Sequence, residues 1–150
     1  MATMTDLRSA KVAITVLVRG RWHAMTQGVL RTGGPLRALA VAAVVSGIPS
    51  TVHAIATRRD PLAATRAAGS LLGGGVAAGV VAHLGISAWW TLVLTKAHVR
   101  GAARGAAAGA AIALLDLEII GRRYPEIRAL PRVPQWLDHI VFGAVVGALL

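Results

Sequence analysis

Two stretches of this chain carry no Asp, Glu, Lys or Arg: 20 residues from Ala38 to Thr57 and 29 residues from Ala67 to Thr95. An α-helix rises 1.5 Å per residue, so roughly 20 apolar residues cross the ~30 Å hydrocarbon core of a bilayer. Both runs reach that length. Alternation of apolar and polar residues is missing from them, and Ala, Gly and Leu dominate, which argues against strands of a membrane barrel. Only 15% of the 150 residues are charged, against about 25% in an ordinary soluble domain, and the mean hydropathy is +0.64. Disorder is excluded by the same apolar content. Zero Cys excludes disulfides and thiolate metal sites. The expected class is an all-α integral membrane protein.

Two further helices are expected in the second half. Gly105 to Leu115 is Ala-rich and charge-free, and Asp116 and Glu118 interrupt it before Ile119-Ile120-Gly121. Trp136 to Leu150 is apolar apart from Asp138 and His139. The spans then fall at about 38–57, 67–95, 103–121 and 136–150, a four-transmembrane-helix bundle over residues 37–150. A re-entrant or surface-lying pair is the alternative for the last two. Asp60-Pro61 reads as an N-cap followed by proline in the first turn of the second helix. Pro125, Pro131 and Pro134 mark a non-helical link, and Pro49 kinks the first helix. Trp89, Trp90 and Trp136 suit the headgroup level. Residues 1–36 hold no stretch resembling a signal peptide. With Arg8, Lys11, Arg19, Arg21, Trp22 and Arg31, they read as a basic segment lying on the headgroups.

The net charge of +10 points to a bilayer with anionic headgroups as the partner. The four-span arrangement puts nine Lys/Arg on one side and seven on the other, too even to orient the chain by the positive-inside rule. No basic cluster with interleaved aromatics marks a nucleic-acid surface. The cytoplasmic membrane is the expected location, with a second copy or another membrane protein as a further candidate partner.

Small-residue stripes mark helix faces that approach closely in lipid. They are Ala42/Ser46/Ser50, Gly75/Gly79, Gly101/Gly105/Gly109 and Gly143/Gly147. Ionisable residues share them. At 100° per residue, His53 lies on the Ser46/Ser50 face, Asp116 sits two turns above Gly109, and His139 precedes Gly143 by one turn. Glu118 cannot share the Asp116 face and is expected to reach the interface. His83 continues the Gly75/Gly79 stripe but is expected near the opposite end of the bundle. The candidate polar layer is therefore His53, Asp116 and His139, with Asp138 as a fourth member. Three readings compete for it: a structural pairing of acid with base, a proton or substrate path, and a metal site of His and carboxylate ligands. No H-E-x-x-H spacing supports the metal, and no cofactor is expected. Gly73-Gly74-Gly75 lacks the Lys-Ser/Thr of a phosphate loop, and no G-x-S-x-G elbow is present. His23 and His98 read as solvated surface residues.

The strings Ser46-Gly47-Ile48-Pro49-Ser50-Thr51-Val52-His53-Ala54, Arg59-Asp60-Pro61-Leu62-Ala63-Ala64-Thr65-Arg66-Ala67-Ala68-Gly69, Leu130-Pro131-Arg132-Val133-Pro134-Gln135 and Asp138-His139-Ile140-Val141-Phe142-Gly143 resemble uncharacterised small multi-pass membrane proteins of high-GC bacteria. The resemblance covers most of residues 37–150. It implies a multi-pass helical fold and transfers no activity or site residue. The expected function is a non-enzymatic structural or accessory membrane component. The alternative is a small transporter or proton-coupled channel subunit, followed by a metal-dependent membrane enzyme.

Overall fold

The computed structural model describes residues 33–150, and within them every regular element is helical. The expectation for the basic segment 1–36 lies outside the described residues, except that 33–36 form the first turn of a helix. That helix, α1 (Gly33–Ala56), is 24 residues long. It is interrupted at Ser46-Gly47 and resumes over Ile48–Ala56. Pro49 has no N–H to donate, so the backbone ladder cannot continue through it. The regular bonds return with the Thr51 N–H, which donates to the Gly47 carbonyl at 3.1 Å.

The second expected span is corrected. Its first part is a separate short helix, α2 (Ala63–Gly69), extended by a 3₁₀ turn over Ser70–Leu72. The chain then reverses at Gly73, Gly74 and Gly75, whose φ angles are +96°, +103° and +91°. Residues with a Cβ rarely adopt such angles, so three glycines in a row permit the turn. The long helix α3 runs from Val76 to Lys96, 21 residues. Its rise of 1.5 Å per residue gives about 31 Å, enough to cross a bilayer. Gly75 is accordingly a turn residue and not part of a packing stripe, since a Cβ there would meet nothing within 4 Å. Gly79 does pack, against α2: a Cβ on it would overlap the Thr65 carbonyl, and one on Gly69 would overlap the Gly75 carbonyl.

The third expected helix is also shorter in regular form. Helix α4 (Ala102–Ala113) gives way to a π-helical segment over Leu114–Ile120 and a 3₁₀ turn over Gly121–Arg123. One helical turn, α5 (Pro125–Arg128), leads to α6 (Arg132–Leu149), which starts four residues before the expected boundary. Helices α4 and α6 are antiparallel and touch backbone to backbone. A Cβ on Gly105 would overlap the Gly143 carbonyl, and one on Gly109 would overlap the His139 carbonyl. A Cβ on Gly147 would come within 2.7 Å of the Gly101 carbonyl. Each four-residue step along α4 thus meets a four-residue step back along α6. The Gly101 N–H donates to the Gly147 carbonyl at 2.7 Å, tying the two ends together.

The interior is small. Ala42, Leu94, Ile112, Phe142 and Val146 form its centre, with Trp90, Val99 and Ala108 against it. Helix α3 is arranged inside out relative to a helix of a soluble protein. Its buried residues are Gly79, Ala82, Ser87, Thr91 and Leu94, while Val80, Val81, Leu84, Trp89 and Leu92 face outward. A soluble helix puts its large apolar residues inward. Helix α1 likewise exposes Leu36, Val44, Val52 and Ile55. Among the described residues, α1 and α3 are the two helices long and apolar enough to cross a membrane.

Candidate functional site

The polar groups gather around the first two turns of α6. Asp138 and His139 are consecutive, so their side chains leave the helix about 100° apart. Each meets a different neighbour. Asp138 turns to α1, where its Oδ1 accepts the Ser50 backbone N–H at 3.0 Å. In an uninterrupted helix that N–H would donate to the Ser46 carbonyl. The break at Pro49 frees it, and a carboxylate from another helix takes it. The acid sits close to the first turn of Ile48–Ala56, where the helix dipole favours negative charge. The Ser50 hydroxyl donates to the Gly47 carbonyl at 3.3 Å, satisfying one acceptor at the same break.

His139 turns to α4. Its Nδ1 lies 2.8 Å from the Gln135 carbonyl, and since a carbonyl only accepts, Nδ1 is the donor. That leaves Nε2 facing Asp116, 3.6 Å from Oδ2. The contact is an ion pair when the ring is protonated and a longer polar contact when it is neutral. Asp116 Oδ2 also accepts the Trp90 indole N–H at 2.9 Å. One carboxylate therefore joins α3, the π-helical segment and α6. Among the described residues this is the polar contact that links the three.

Glu118 occupies a different place, as its angular offset from Asp116 implies. The Trp136 indole N–H donates to its Oε1 at 3.3 Å, and Arg132 and Arg122 lie 3.9 and 3.8 Å from its carboxylate. It belongs to the link end of the bundle, with two arginines around it.

His53 does not join the layer. Its ring has no hydrogen bond or ion pair to Asp116, His139 or Asp138 among the described residues. It lines a cleft of about 480 Å³ together with Ser50, Arg59, Arg66 and Gln135. Ser50 is the α1 residue that meets Asp138, and His53, three residues further on, lines the cleft beside Pro134 and Gln135 of α6. No three of the described His, Asp and Glu side chains converge on a point that could hold a metal ion.

His83 is displaced in the other direction. Its Nε2 donates to the Ala43 carbonyl of α1 at 2.8 Å. A span counted from residue 67 puts it near the far end. Because α3 begins at Val76, His83 is only two turns from its start.

Two contacts have weak sequence signals. Trp90 reads as a headgroup anchor, yet it is half-buried against Asp116. Its spacing from His83, seven residues along the same face through Ser87 and Thr91, is the signal that places it inward. The Ser50–Asp138 bond is invisible to side-chain reasoning, because its donor is backbone. Proline inside a long apolar helix is the only cue that an N–H nearby needs a partner. Comparison of the chain with protein-family models, with curated proteins and with solved structures gives no match.

Proposed function

We propose that this chain is a multi-pass protein of the cytoplasmic membrane, acting as a non-enzymatic structural or accessory component. The observation that carries the membrane reading is the inverted α3, small and polar on its buried face and Val/Leu-rich outside. Helices α4 and α6 then complete four crossings, with their glycine faces together and their outer faces in lipid. The polar layer is read as structural. Asp116 holds Trp90 and His139, Asp138 holds the broken end of α1, and Glu118 holds Arg132 and Trp136. Acids inside a bilayer are costly unless paired, and here each has a protein partner that ties two elements together. Anionic headgroups suit the surplus of arginine around the links.

One observation favours a second reading, a proton-linked transport subunit. Ser50 and Gln135 line the open cleft and also touch Asp138 and His139, so the polar groups are within one residue of the aqueous end. Purified protein in proteoliposomes with a trapped pH dye separates the two. The structural reading expects a proton leak equal to that of empty liposomes under a gradient of about 60 mV. It also expects Asp116→Asn to leave that leak unchanged. A protein-dependent flux abolished by Asp116→Asn would overturn it in favour of transport.

A further inference from the structure

The cleft beyond His53 is not used by the packing just described. Its walls come from the end of α1, the 57–62 link, α2, the glycine turn and the α5–α6 link. About 480 Å³ lies within the usual range of small-ligand sites, roughly 300–1,000 Å³. Four charged side chains and His53 line it. Asp60 and Arg66 neutralise each other in an ion pair. Arg59 and Glu126 do not: among the described residues neither is in an ion pair, although both line the same cleft. One cavity thus presents a cation and an anion that do not pair with each other, with His53 and Gln135 in the same lining. A simple anion would leave Glu126 facing like charge, and a simple cation would face Arg59. A ligand carrying both signs satisfies both.

We propose that this cleft binds a zwitterionic phosphoester of the phosphoethanolamine type, with phosphate against Arg59 and His53 and ammonium against Glu126. Arginine suits the phosphate because its planar guanidinium donates two parallel hydrogen bonds to such oxygens. The primary ammonium keeps three N–H donors for a carboxylate, which a quaternary ammonium lacks. The cleft opens among the segments that connect helices. In the four-span arrangement that is headgroup depth, so a membrane lipid is one source and a water-soluble phosphoester the other. The assignment of depth rests on the membrane reading, whereas the charge pattern stands without it.

The test uses the full chain in neutral detergent micelles doped with phosphatidylethanolamine, phosphatidylglycerol or phosphatidylcholine, with soluble O-phosphoethanolamine as a parallel arm. Binding is read from tryptophan fluorescence and from the thermal unfolding midpoint. Phosphatidylethanolamine is expected to bind more tightly than the other two lipids. Arg59→Gln is expected to weaken it about fivefold, because a two-bond guanidinium contact is lost at an exposed site where solvent screens it. Glu126→Gln is expected to weaken it similarly while strengthening phosphatidylglycerol binding, because the like charge facing an anionic headgroup is removed. Both positions are exposed, and an unchanged lipid-free midpoint confirms the fold in each variant. Binding of O-phosphoethanolamine alone supports the same chemistry with an aqueous source. Equal affinity for the three lipids with no binding of O-phosphoethanolamine, or unchanged binding in both variants, overturns the proposal. Topology mapped on the same chain is a separate readout, so failure of the ligand and failure of the membrane reading are distinguishable.

Discussion

Gly143→Val is expected to destabilise the protein by about 3 kcal/mol or more, the upper range for forcing atoms into a packed contact. The added atoms have nowhere to go. A Cβ at 143 would overlap the Gly105 carbonyl and lie 2.8 Å from the Gly109 Cα. These are backbone atoms on a helix, so no rotamer change relieves the clash, and α4 and α6 must separate. The effect extends to the polar layer, because the separation draws His139 away from Asp116. Gly85→Val provides the comparison. Gly85 also lies within a helix, but a Cβ there meets nothing within 4 Å. Its change is expected to stay within about 0.5 kcal/mol, as for ordinary surface positions. Reversible unfolding of both variants in mixed micelles, followed by tryptophan fluorescence, measures the difference. Equal midpoints for the two would show that α4 and α6 are not packed through their glycines.

Asp116→Ala is expected to cost about 2 kcal/mol, the penalty for leaving partly buried polar groups without their partner. The substitution strands the Trp90 indole N–H and removes the charge facing His139 Nε2. Asp116→Asn keeps an acceptor for the indole and loses only the charge, so its cost is expected to be less than half as large. In a double-mutant cycle with His139→Ala, the coupling is expected to be near 1 kcal/mol, in line with polar contacts between membrane helices. Trp90 itself reports the change: its emission is expected to shift in Asp116→Ala and to stay near the wild-type position in Asp116→Asn. Equal costs for Ala and Asn would mean that the indole bond contributes nothing.

Much of this arrangement was legible in the residues, for reasons that differ from part to part. The two charge-free runs signal long apolar helices because lipid tolerates few bare charges. The contact of α4 with α6 follows from four-residue glycine spacing on both, and the position of Asp116 opposite His139 follows from the same helical phase. The reversal at Gly73–Gly75 was missed because hydropathy is blind to direction. A turn made of glycines is as apolar as the helices it joins. The signal for it is length: 29 charge-free residues exceed one crossing of roughly 20 by nearly half, and three consecutive glycines stand near their start. A helix running unbroken from residue 67 would carry Gly75 on a packing face and His83 toward the far end; the turn changes both. The π-helical winding around Asp116 has no pattern in the residues, because it depends on what Trp90 and His139 offer from other helices. His53 shares both the depth of the acids and the Ser46/Ser50 face, yet its ring makes no hydrogen bond or ion pair to them among the described residues. Depth and face place a residue only coarsely: Ser50 meets Asp138, whereas His53, three residues further on, lines the cleft beside Gln135.

Side-specific labelling tests the central claim, that the chain crosses the membrane four times. The absence of Cys leaves no background, so single cysteines replace Thr57, Ala97 and Ala129, all exposed at the ends of helices. Each variant is treated with a membrane-impermeant thiol reagent in intact and in opened cells. The account predicts that positions 57 and 129 label from one side and position 97 from the other. Labelling of 97 and 129 from the same side would mean that α4 does not cross, and would contradict it.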